Sequence, residues 1–364
     1  MKHEHTSQII RQEESDRPLP DPCPGGYTRY RDFESLAEGG GAILETGVDD
    51  YFGRRVVFKK LLPEFRDNPA MLQRFIREAR VTARIQHPST VPVYELGRDE
   101  TGTPYFTMKK VSGHSLQEIL QGIIAHNPTF RPFAARDRLI DILIQVGLAL
   151  ANAHERGVVH RDIKPANILV GEFGEVLIMD WGVAKVYDNS DTSLTDPHSD
   201  FHATDDGLTV HGKVYGTPRY MSPEQAKGET DIDLRSDIFS LGAVLYEVLT
   251  RRPLFYGADR KEILHQVLHR RIQSPRKLEP LKNIPLELNA ICMQALQKHP
   301  DDRYASMDDF IEDLQRYRRN EPVSVLTTTP WLSFINWQHR TVGRAGWFML
   351  IAGTALGWWL GKHG

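Results

Sequence analysis

The sequence predicts an α+β protein in two lobes: a small, mainly antiparallel β lobe with one helix, and a larger α-helical lobe. Short β-branched runs and glycine-rich turns lie between residues 33 and 111, a pattern typical of antiparallel hairpins. Two long apolar stretches without proline follow, at residues 139–155 and 236–250, and each predicts a buried helix. We therefore expect the first lobe over residues 31–111 and the second over 112–318.

The composition limits the class of protein. The chain has 364 residues, of which 40% are hydrophobic and 26% charged, so it can bury a sizeable core. Its formal net charge of −3 gives no basic field, so we expect no nucleic-acid partner. Cys23 and Cys292 are too far apart to indicate a disulfide framework, which favours a reducing compartment. Residues 1–30 are charged and then proline-rich, and predict a disordered lead rather than a signal peptide.

The first expected hairpin has three glycines in its turn. Gly39, Gly40 and Gly41 interrupt a strand-like stretch over residues 36–44. Glycine lets a backbone approach phosphates closely and offers bare N–H groups, so this hairpin can cover a nucleotide. Lys59 and Lys60 belong to the next strand. Since neighbouring side chains in a strand point to opposite faces, only one of these lysines can face that nucleotide.

One helix is predicted in the first lobe. It begins with Asn68 as N-cap and Pro69 in the first turn, and it should end near Ile85. Glu78 lies on the inward stripe of this helix with Phe75, at the spacing of one helical turn. A carboxylate in that position needs a cation as its partner.

A second hairpin brings two oxygen ligands together. The runs at residues 168–170 and 175–179 are strand-like and are joined by the turn GEFG, so they predict an antiparallel hairpin. Asn167 precedes its first strand and Asp180 follows its second, so both arrive at the same end. An amide oxygen and a carboxylate there suit Mg²⁺ when its other ligands are phosphate oxygens and water.

The loop that enters this hairpin contains Asp162 and Lys164. Such a loop can hold a carboxylate where a hydroxyl arrives and an ammonium where negative charge develops. The residue types and their order therefore indicate phosphoryl-transfer chemistry.

The motif H-R-D-x-K-P-x-N, followed by D-x-G, occupies residues 160–167 and 180–182. It resembles the catalytic-loop and metal-loop signature of bacterial Hanks-type (eukaryotic-like) serine/threonine protein kinases. The resemblance extends over about Tyr30 to Tyr317, and the segments MDWGVAK and GTPRYMSPEQ are most similar to a group common in planctomycete-type bacteria. It implies the two-lobed protein kinase fold, with ATP and Mg²⁺ as cofactors and Ser or Thr of protein substrates as acceptors.

The resemblance assigns a role to each motif residue. The implied roles are deprotonation of the hydroxyl by Asp162, neutralisation of the transferring phosphoryl by Lys164, Mg²⁺ binding by Asn167 and Asp180, and phosphate binding by Lys59 in an ion pair with Glu78. Lys164 and Thr217 follow the Ser/Thr pattern rather than the Tyr pattern.

The implied nucleotide site departs from the family pattern at its glycines. Counted back from Lys59, the motif G-x-G-x-x-G-x-V falls on Ala37, Gly39, Ala42 and Leu44, where one motif glycine is kept. The implied nucleotide contacts are Gly39, Gly40, Gly41, Leu44, Val57, Lys59, the gatekeeper Met108, Val111 in the hinge of residues 109–112, and Leu169. Ala37, Ala42 and Val57, which replaces the usual alanine beside the adenine, leave an alternative open, in which the chain is a pseudokinase that acts as a membrane scaffold.

Two positions are expected to regulate the site. Arg161 directly precedes Asp162, where such an arginine needs an anionic partner. Lys185 matches the position at which the kinase family places a second cation of the same anion-binding pocket. Together they predict a phosphothreonine partner in the activation segment, Thr209, with Thr204 and Thr195 as alternatives.

The resemblance implies further roles in the architecture. Asp237 matches the residue that holds the catalytic-loop backbone, and Glu224 and Arg303 match an ion pair. Trp181 stands where the family usually has Phe, and it can still fill a hydrophobic notch.

The C-terminal segment predicts a membrane anchor. Ala345 to Gly361 runs 17 residues without a charge. As a helix it would be about 26 Å long, near the short end for a bilayer core. Arg340 and Arg344 on one flank and Lys362 on the other favour a single span of the inner (cytoplasmic) membrane, with the catalytic domain in the cytoplasm. Residues 319–344 would then be a linker and 362–364 a short tail; a buried helix of the second lobe is the alternative.

Three glycines recur every four residues in this segment, at Gly353, Gly357 and Gly361. A face of small residues lets two membrane helices approach closely. The pattern therefore predicts a homodimer.

Overall fold

The computed structural model describes residues 25–39, 41–186 and 217–326, which form two compact units. The first unit comprises the described residues up to Gln86 together with Val91–Ser112. The second comprises His87–Thr90 and the described residues from Gly113 onward.

The first unit is built on a five-stranded antiparallel sheet. Its strands are β1 (Tyr30–Gly39), β2 (Ala42–Asp49), β3 (Arg54–Leu61), β4 (Val93–Arg98) and β5 (Pro104–Lys109). Their order is β1-β2-β3-β5-β4, and every neighbouring pair is antiparallel. The glycine hairpin expected from the sequence thus joins β1 to β2.

The strand register sorts side chains onto two faces of this sheet. Leu44 pairs with Lys59, and Val57 pairs with Met108. Since partners across strands share a face and so do alternate residues along a strand, these four side chains lie on the same face. Lys60 lies on the opposite face.

An aromatic cluster fills the opposite face. Tyr30, Phe58 and Tyr105 are buried together with Val56. A 3₁₀ turn at Gly26–Arg29 packs Tyr27 against them, with its ring centroid 5.4 Å from that of Tyr105. The segment before β1 is thereby fixed to the sheet.

One helix, α1 (Pro69–Arg84), completes the first unit. The side chain of Asn68 accepts hydrogen bonds from the backbone N–H groups of Ala70 and Met71, so it is the N-cap that the sequence predicts. Glu78 is buried on the inward face, also as predicted.

The second unit is mainly helical. Its helices are α2 (Leu116–Ile124), α3 (Arg136–Glu155), α4 (Pro223–Lys227), α5 (Arg235–Thr250), α6 (Arg260–His269), α7 (Pro275–Leu278), α8 (Leu286–Ala295) and α9 (Met307–Arg319). Two small sheets accompany them. The first contains β6 (Gly113–Ser115), β8 (Ile168–Gly171) and β9 (Val176–Ile178); the second pairs β7 (Val158–Val159) with β10 (Lys185–Val186).

Helix α5 is the centre of this unit, as its apolar sequence predicts. Fourteen of its residues are buried, and it packs against α3 and α8. Gly242 allows the approach to α8, because a Cβ atom there would lie 2.8 Å from the Cβ of Ala295. A residue larger than glycine therefore does not fit at position 242 without a shift of the helices.

The segment of residues 87–90 bonds to strand β9 of the second unit. Residues 87–90 fall within the predicted first lobe, but the structure groups them with the second unit. Ser89 O accepts a hydrogen bond from Ile178 N at 2.8 Å, and Thr90 forms an isolated parallel β-bridge with Ile178. These bonds to β9 are non-local, which is why the sequence did not indicate them.

The expected disordered lead covers residues 1–30, but Gly26–Arg29 form a 3₁₀ turn and Tyr30 begins β1, so only residues 1–24 of it lie outside the described residues. The expected linker covers residues 319–344, of which residues 327–344 lie outside the described residues, as does the anchor of residues 345–361. Within the described residues, no helix is both long and apolar enough to cross a membrane.

Candidate active site

Lys59 and Glu78 form an ion pair within the first unit. The Lys59 ammonium Nζ contacts Glu78 Oε1, joining β3 to the middle of α1. The two side chains are only 19% and 10% exposed, so each needs the opposite charge of the other. The ion pair implied by the family resemblance is present in the structure.

The neighbouring lysine has different partners. Lys60 Nζ donates to Tyr27 Oη at 2.6 Å and lies 2.7 Å from Glu45 Oε2. It also sits 4.9 Å from the ring centroid of Phe33. The register therefore settles the question that the sequence left open: Lys59, and not Lys60, shares a face with Leu44.

The glycine turn is shaped by Gly41. Gly39 pairs with Ala42, and Gly41 has φ +87°, a conformation that favours glycine. A Cβ at Gly41 would lie 2.7 Å from Met71 Cε, the flexible end of that side chain, so it is the backbone conformation that favours glycine here. Gly40, the other predicted turn glycine, lies outside the described residues.

The remaining predicted nucleotide contacts are distributed over both units. Val111 lies in the short segment after β5, at the end of the first unit. Leu169 lies in β8 of the second unit, where it pairs with Leu177. Their contact with a nucleotide stays a prediction.

Asp162 is the centre of a cluster of polar side chains in the second unit. Its Oδ2 accepts a hydrogen bond from Lys164 Nζ at 2.6 Å, and its Oδ1 accepts one from Thr217 N at 2.8 Å. Lys164 Nζ also donates to Thr217 Oγ1 at 2.9 Å. Asn167 Nδ2 donates to the Asp162 carbonyl at 2.9 Å. The carboxylate is therefore fixed in orientation and remains a hydrogen-bond acceptor.

The hairpin of β8 and β9 places the two predicted metal ligands at one end. Ile168 pairs with Ile178, and Met179 N donates to Asn167 O at 2.8 Å. Asp180, the next residue, has φ +62°, an uncommon conformation for a non-glycine residue that marks functional positions.

The ligand types of this pair fit Mg²⁺. The Asn167 amide nitrogen donates to Asp162, which leaves its Oδ1 as the ligand atom, and Asp180 adds a carboxylate. Within the described residues, no group of three or more His, Cys, Asp and Glu side chains is placed to hold a metal.

A buried carboxylate holds the backbone of the catalytic loop. Asp237 accepts hydrogen bonds from the backbone N–H groups of His160 and Arg161, each at 2.8 Å, and contacts His154 Nε2 at 2.8 Å. Burial raises the pKa of the Asp237 carboxyl, but the bonds from His154 and His160 outweigh it, and the pKa lies below its usual range. Asp237 stays ionised, as its loop-anchoring role requires.

The aromatic residue after Asp180 is buried, as predicted. Trp181 is 1% exposed, and its ring centroid lies 4.5 Å from that of His160. His160 Nδ1 accepts from Asp162 N, and its Nε2 contacts Met179 O at 3.1 Å, which assigns the proton to Nε2.

The implied ion pair between Glu224 and Arg303 is bidentate and buried. Arg303 Nη1 and Nη2 each lie 2.7 Å from a carboxylate oxygen of Glu224. Ser236 Oγ donates to the same carboxylate. Burial raises the pKa of Glu224, but Arg303 and Ser236 together lower it below its usual range.

The two predicted regulatory cations are connected through the strand pair of β7 and β10. Lys185 in β10 pairs with Val159 in β7, two residues before Arg161. Lys185 Nζ donates to Thr230 O at 3.0 Å, and Arg161 has φ +68°. Thr209, their predicted phosphorylated partner, lies outside the described residues, as do Thr204 and Thr195.

The amino-acid sequence matches a known family model. The protein kinase domain model covers residues 30–314. The chain belongs to the protein kinase family. Protein kinases use ATP with Mg²⁺, which agrees with the ligand types of Asn167 and Asp180.

Three bacterial protein kinases illustrate the similarity. Serine/threonine-protein kinase PknD of Chlamydia pneumoniae is 33% identical over 304 residues, which cover 82% of this chain and 32% of PknD. A probable serine/threonine-protein kinase of Streptomyces coelicolor is 36% identical, over 81% of this chain and 41% of its own. Serine/threonine-protein kinase PknB of Mycolicibacterium smegmatis is 35% identical, over 80% and 43% respectively.

The chain thus spans less than half the length of these curated relatives. They support the Hanks-type assignment made from the motifs. The more specific similarity to a planctomycete-type group stays a prediction.

Two supporting residues of the kinase site were not predicted. His154 contacts Asp237, and Gln225 Nε2 donates to Arg161 O at 2.8 Å. His154 follows Leu150 by one helical turn, so it lies on the buried stripe of α3. A polar residue on that stripe was the sequence feature that could have indicated a buried partner. Gln225 gave no comparable signal, because its partner is distant in sequence.

Proposed function

We propose that this chain transfers the γ-phosphoryl group of ATP to Ser and Thr hydroxyls of protein substrates. The observation that carries the proposal is the contact of Lys164 Nζ with both Asp162 and Thr217. This Lys and Thr combination follows the Ser/Thr pattern. The relatives' names, which are those of serine/threonine-protein kinases, support the same substrate class.

Asp162 is the acceptor for the hydroxyl proton. Its carboxylate is held by Lys164 and Thr217, so it presents a fixed lone pair to the incoming Ser or Thr. The hydroxyl oxygen forms a bond to the γ-phosphorus, and the bond from that phosphorus to the β,γ-bridging oxygen breaks, releasing ADP. Lys164 neutralises the negative charge on the transferring group.

The other residues position the phosphates. Lys59, oriented by Glu78, binds the α- and β-phosphates. Asn167 and Asp180 would hold Mg²⁺, which when bound supplies positive charge to the phosphate oxygens. The face that Lys59 shares with Leu44, Val57 and Met108 supplies apolar surface for the adenine.

Phosphoamino acid identification tests this proposal. The purified protein is incubated with Mg²⁺, labelled ATP and a generic basic protein, and the labelled product is hydrolysed. We expect label on serine and threonine and none on tyrosine. No label at all, with Asp162→Asn indistinguishable from wild type, would instead favour the pseudokinase scaffold that Ala37 and Ala42 leave open.

We further propose that Thr209 is autophosphorylated and that Arg161 and Lys185 bind its phosphate. Guanidinium and ammonium groups make strong, charge-assisted bonds to phosphate. Phosphosite mapping of active protein should find Thr209 modified, and Thr209→Ala should lower the rate of substrate phosphorylation. An unmodified Thr209, or full activity of the Thr209→Ala protein, would remove this proposal.

Membrane anchoring through Ala345 to Gly361 is also a proposal, with the catalytic domain on the cytoplasmic side. Fractionation of cells should find the full-length chain in the membrane fraction, and a chain lacking residues 345–364 in the soluble fraction. A full-length chain that stays soluble at low salt would exclude the anchor.

Pairing of two anchors through their glycine face is a separate proposal. Replacement of Gly353 and Gly357 by Ile should weaken self-association in detergent or bilayers, because bulky side chains separate the helices. Unchanged self-association would exclude this dimer.

A further inference from the structure

Two arginines in the second unit lie close together without a carboxylate between them. Arg136 is the first residue of α3, and Arg251 directly follows the last residue of α5. Arg136 Nη2 donates to Lys282 O at 2.9 Å, and Lys282 Nζ donates to Thr250 O, the residue before Arg251, so the two arginines flank the same lysine. Burial lowers the pKa of Arg251, and the charge of Arg136 lowers it further. In the described part of the chain, no carboxylate lies within 4.0 Å of either group.

Arg251 has an unfilled hydrogen-bonding position. Its Nη1 is buried and has no hydrogen-bond partner among residues 25–39, 41–186 and 217–326. A buried N–H of a charged group that bonds to neither protein nor ligand is costly. By contrast, Arg252, the next residue, is largely exposed and lies 2.9 Å from Glu279 Oε1. The adjacent arginine thus has a protein anion and Arg251 has none.

The backbone at Arg251 is also unfavourable for arginine. Its φ is +61°, in the left-handed region, at the C-terminus of α5. Glycine is the residue that tolerates this position without strain. Arg251 is the left-handed C-cap of α5, and arginine occupies this position at a cost that glycine would not have.

A third cation and a helix end lie beside the pair. Lys282, bonded to Arg136 and to Thr250, is that cation. Among the residues that the structure describes, Glu279 is the carboxylate in contact with that lysine, 3.5 Å from Lys282 Nζ. Helix α3 begins at Arg136 without a side-chain cap, so its first N–H groups add positive potential.

We propose that Arg136 and Arg251, with Lys282 beside them, bind a phosphate-class oxyanion. A phosphate dianion offsets the charges of both guanidinium groups and offers acceptors to the unfilled Nη1, whereas one carboxylate offsets a single charge. The ligand is either inorganic phosphate or the phosphate monoester of a phosphorylated Ser or Thr. The site uses none of the residues assigned to phosphoryl transfer.

Calorimetric titration tests the site with two probes. The probes are inorganic phosphate and a phosphothreonine peptide, each at constant ionic strength, with the unphosphorylated peptide as reference. The proteins are wild type, Arg251→Gly, Arg136→Gln and the matched control Arg252→Gly. All carry Asp162→Asn and are saturated with Mg²⁺ and ADP, so that the catalytic residues are occupied and turnover is excluded.

We expect phosphate-dependent binding that weakens at least tenfold in Arg251→Gly and in Arg136→Gln, and less than twofold in Arg252→Gly. Tighter binding of the phosphopeptide than of inorganic phosphate identifies a phosphorylated segment as the ligand; equal binding identifies inorganic phosphate. No binding to wild type, or equal weakening in Arg252→Gly, would overturn the proposal.

Thermal unfolding gives an independent readout. Without phosphate, Arg251→Gly should have a higher Tm than wild type, because glycine removes both the strained φ and the repulsion between guanidinium groups. Addition of phosphate should raise the Tm of wild type more than that of Arg251→Gly. An equal rise in both proteins would contradict the site.

Discussion

Two adjacent lysines show at the residue scale how a strand position decides chemistry. Lys59 contacts Glu78, while Lys60 contacts Tyr27 and Glu45 on the opposite face. Burial lowers the pKa of Lys60, but Glu45 and Tyr27 together raise it, so it stays charged. The sequence predicts that the two lysines face opposite ways, and the register of β3 decides which of them meets the helix.

Substitution of each lysine in turn tests this division. Lys59→Met should lower kcat/KM for ATP by at least about a hundredfold, because the phosphates lose a charge-assisted contact. Lys60→Met should keep kcat/KM within a fewfold of wild type while lowering the Tm, since Glu45 loses its partner. Steady-state kinetics and thermal unfolding measure both effects. Equal losses of activity in the two variants would contradict the assignment.

At the scale of elements, local chemistry was predictable and long-range contacts were not. The start of α1 follows from Asn68, whose cap bonds are made two and three residues away. The β8–β9 hairpin follows from its turn, and it fixes the positions of Asn167 and Asp180. By contrast, Asp237 and His154 are 83 residues apart, and no local pattern joins them. Asp237 itself was assigned through the family motif and not through spacing.

The crossing of α5 and α8 gives a prediction at this scale. Gly242→Ala should lower the free energy of unfolding by about 1–3 kcal/mol, because its Cβ would lie 2.8 Å from the Ala295 Cβ. The double variant Gly242→Ala with Ala295→Gly should recover part of this loss, because removal of the Ala295 methyl group makes room for the new Cβ. Urea unfolding measures both. A more stable Gly242→Ala protein, as helix propensity alone would give, would show that the crossing is not tight.

At the scale of the whole molecule, the buried pair Glu224–Arg303 ties separate parts of the helical unit together. Glu224 is the second residue of α4, and Arg303 lies between α8 and α9. Arg303 also donates to the carbonyl of Arg235 at the start of α5. The family motif predicts the pair, but its bidentate geometry and the bond from Ser236 become visible only in three dimensions.

Loss of one partner should be costly. Glu224→Ala leaves the Arg303 guanidinium buried without its anion, so the free energy of unfolding should fall by about 3–5 kcal/mol. The double variant Glu224→Ala with Arg303→Leu should lose less free energy of unfolding than the sum of the losses in the two single variants. Denaturant unfolding measures this coupling; simple additivity would indicate that the pair is not coupled.

The same pair gives an acid dependence of stability. Since the pKa of Glu224 is lower in the folded state than in the unfolded chain, its contribution is full above about pH 5 and is lost as pH falls through the folded pKa. Glu224→Gln should therefore show a shallower loss of Tm below about pH 5 than wild type. Identical acid profiles of the two proteins would mean that other carboxylates dominate.

We propose that Asp162, held by Lys164 and Thr217, accepts the proton of the substrate hydroxyl in this protein kinase. The most direct measurement is the rate of phosphoryl transfer to a protein substrate by wild type and Asp162→Asn, with ATP affinity measured in parallel. We expect the rate to fall by about 10²–10⁴-fold while ATP affinity changes by less than a fewfold, because the change removes the base and leaves Lys59 and Glu78 intact. An Asp162→Asn protein as active as wild type would contradict the claim.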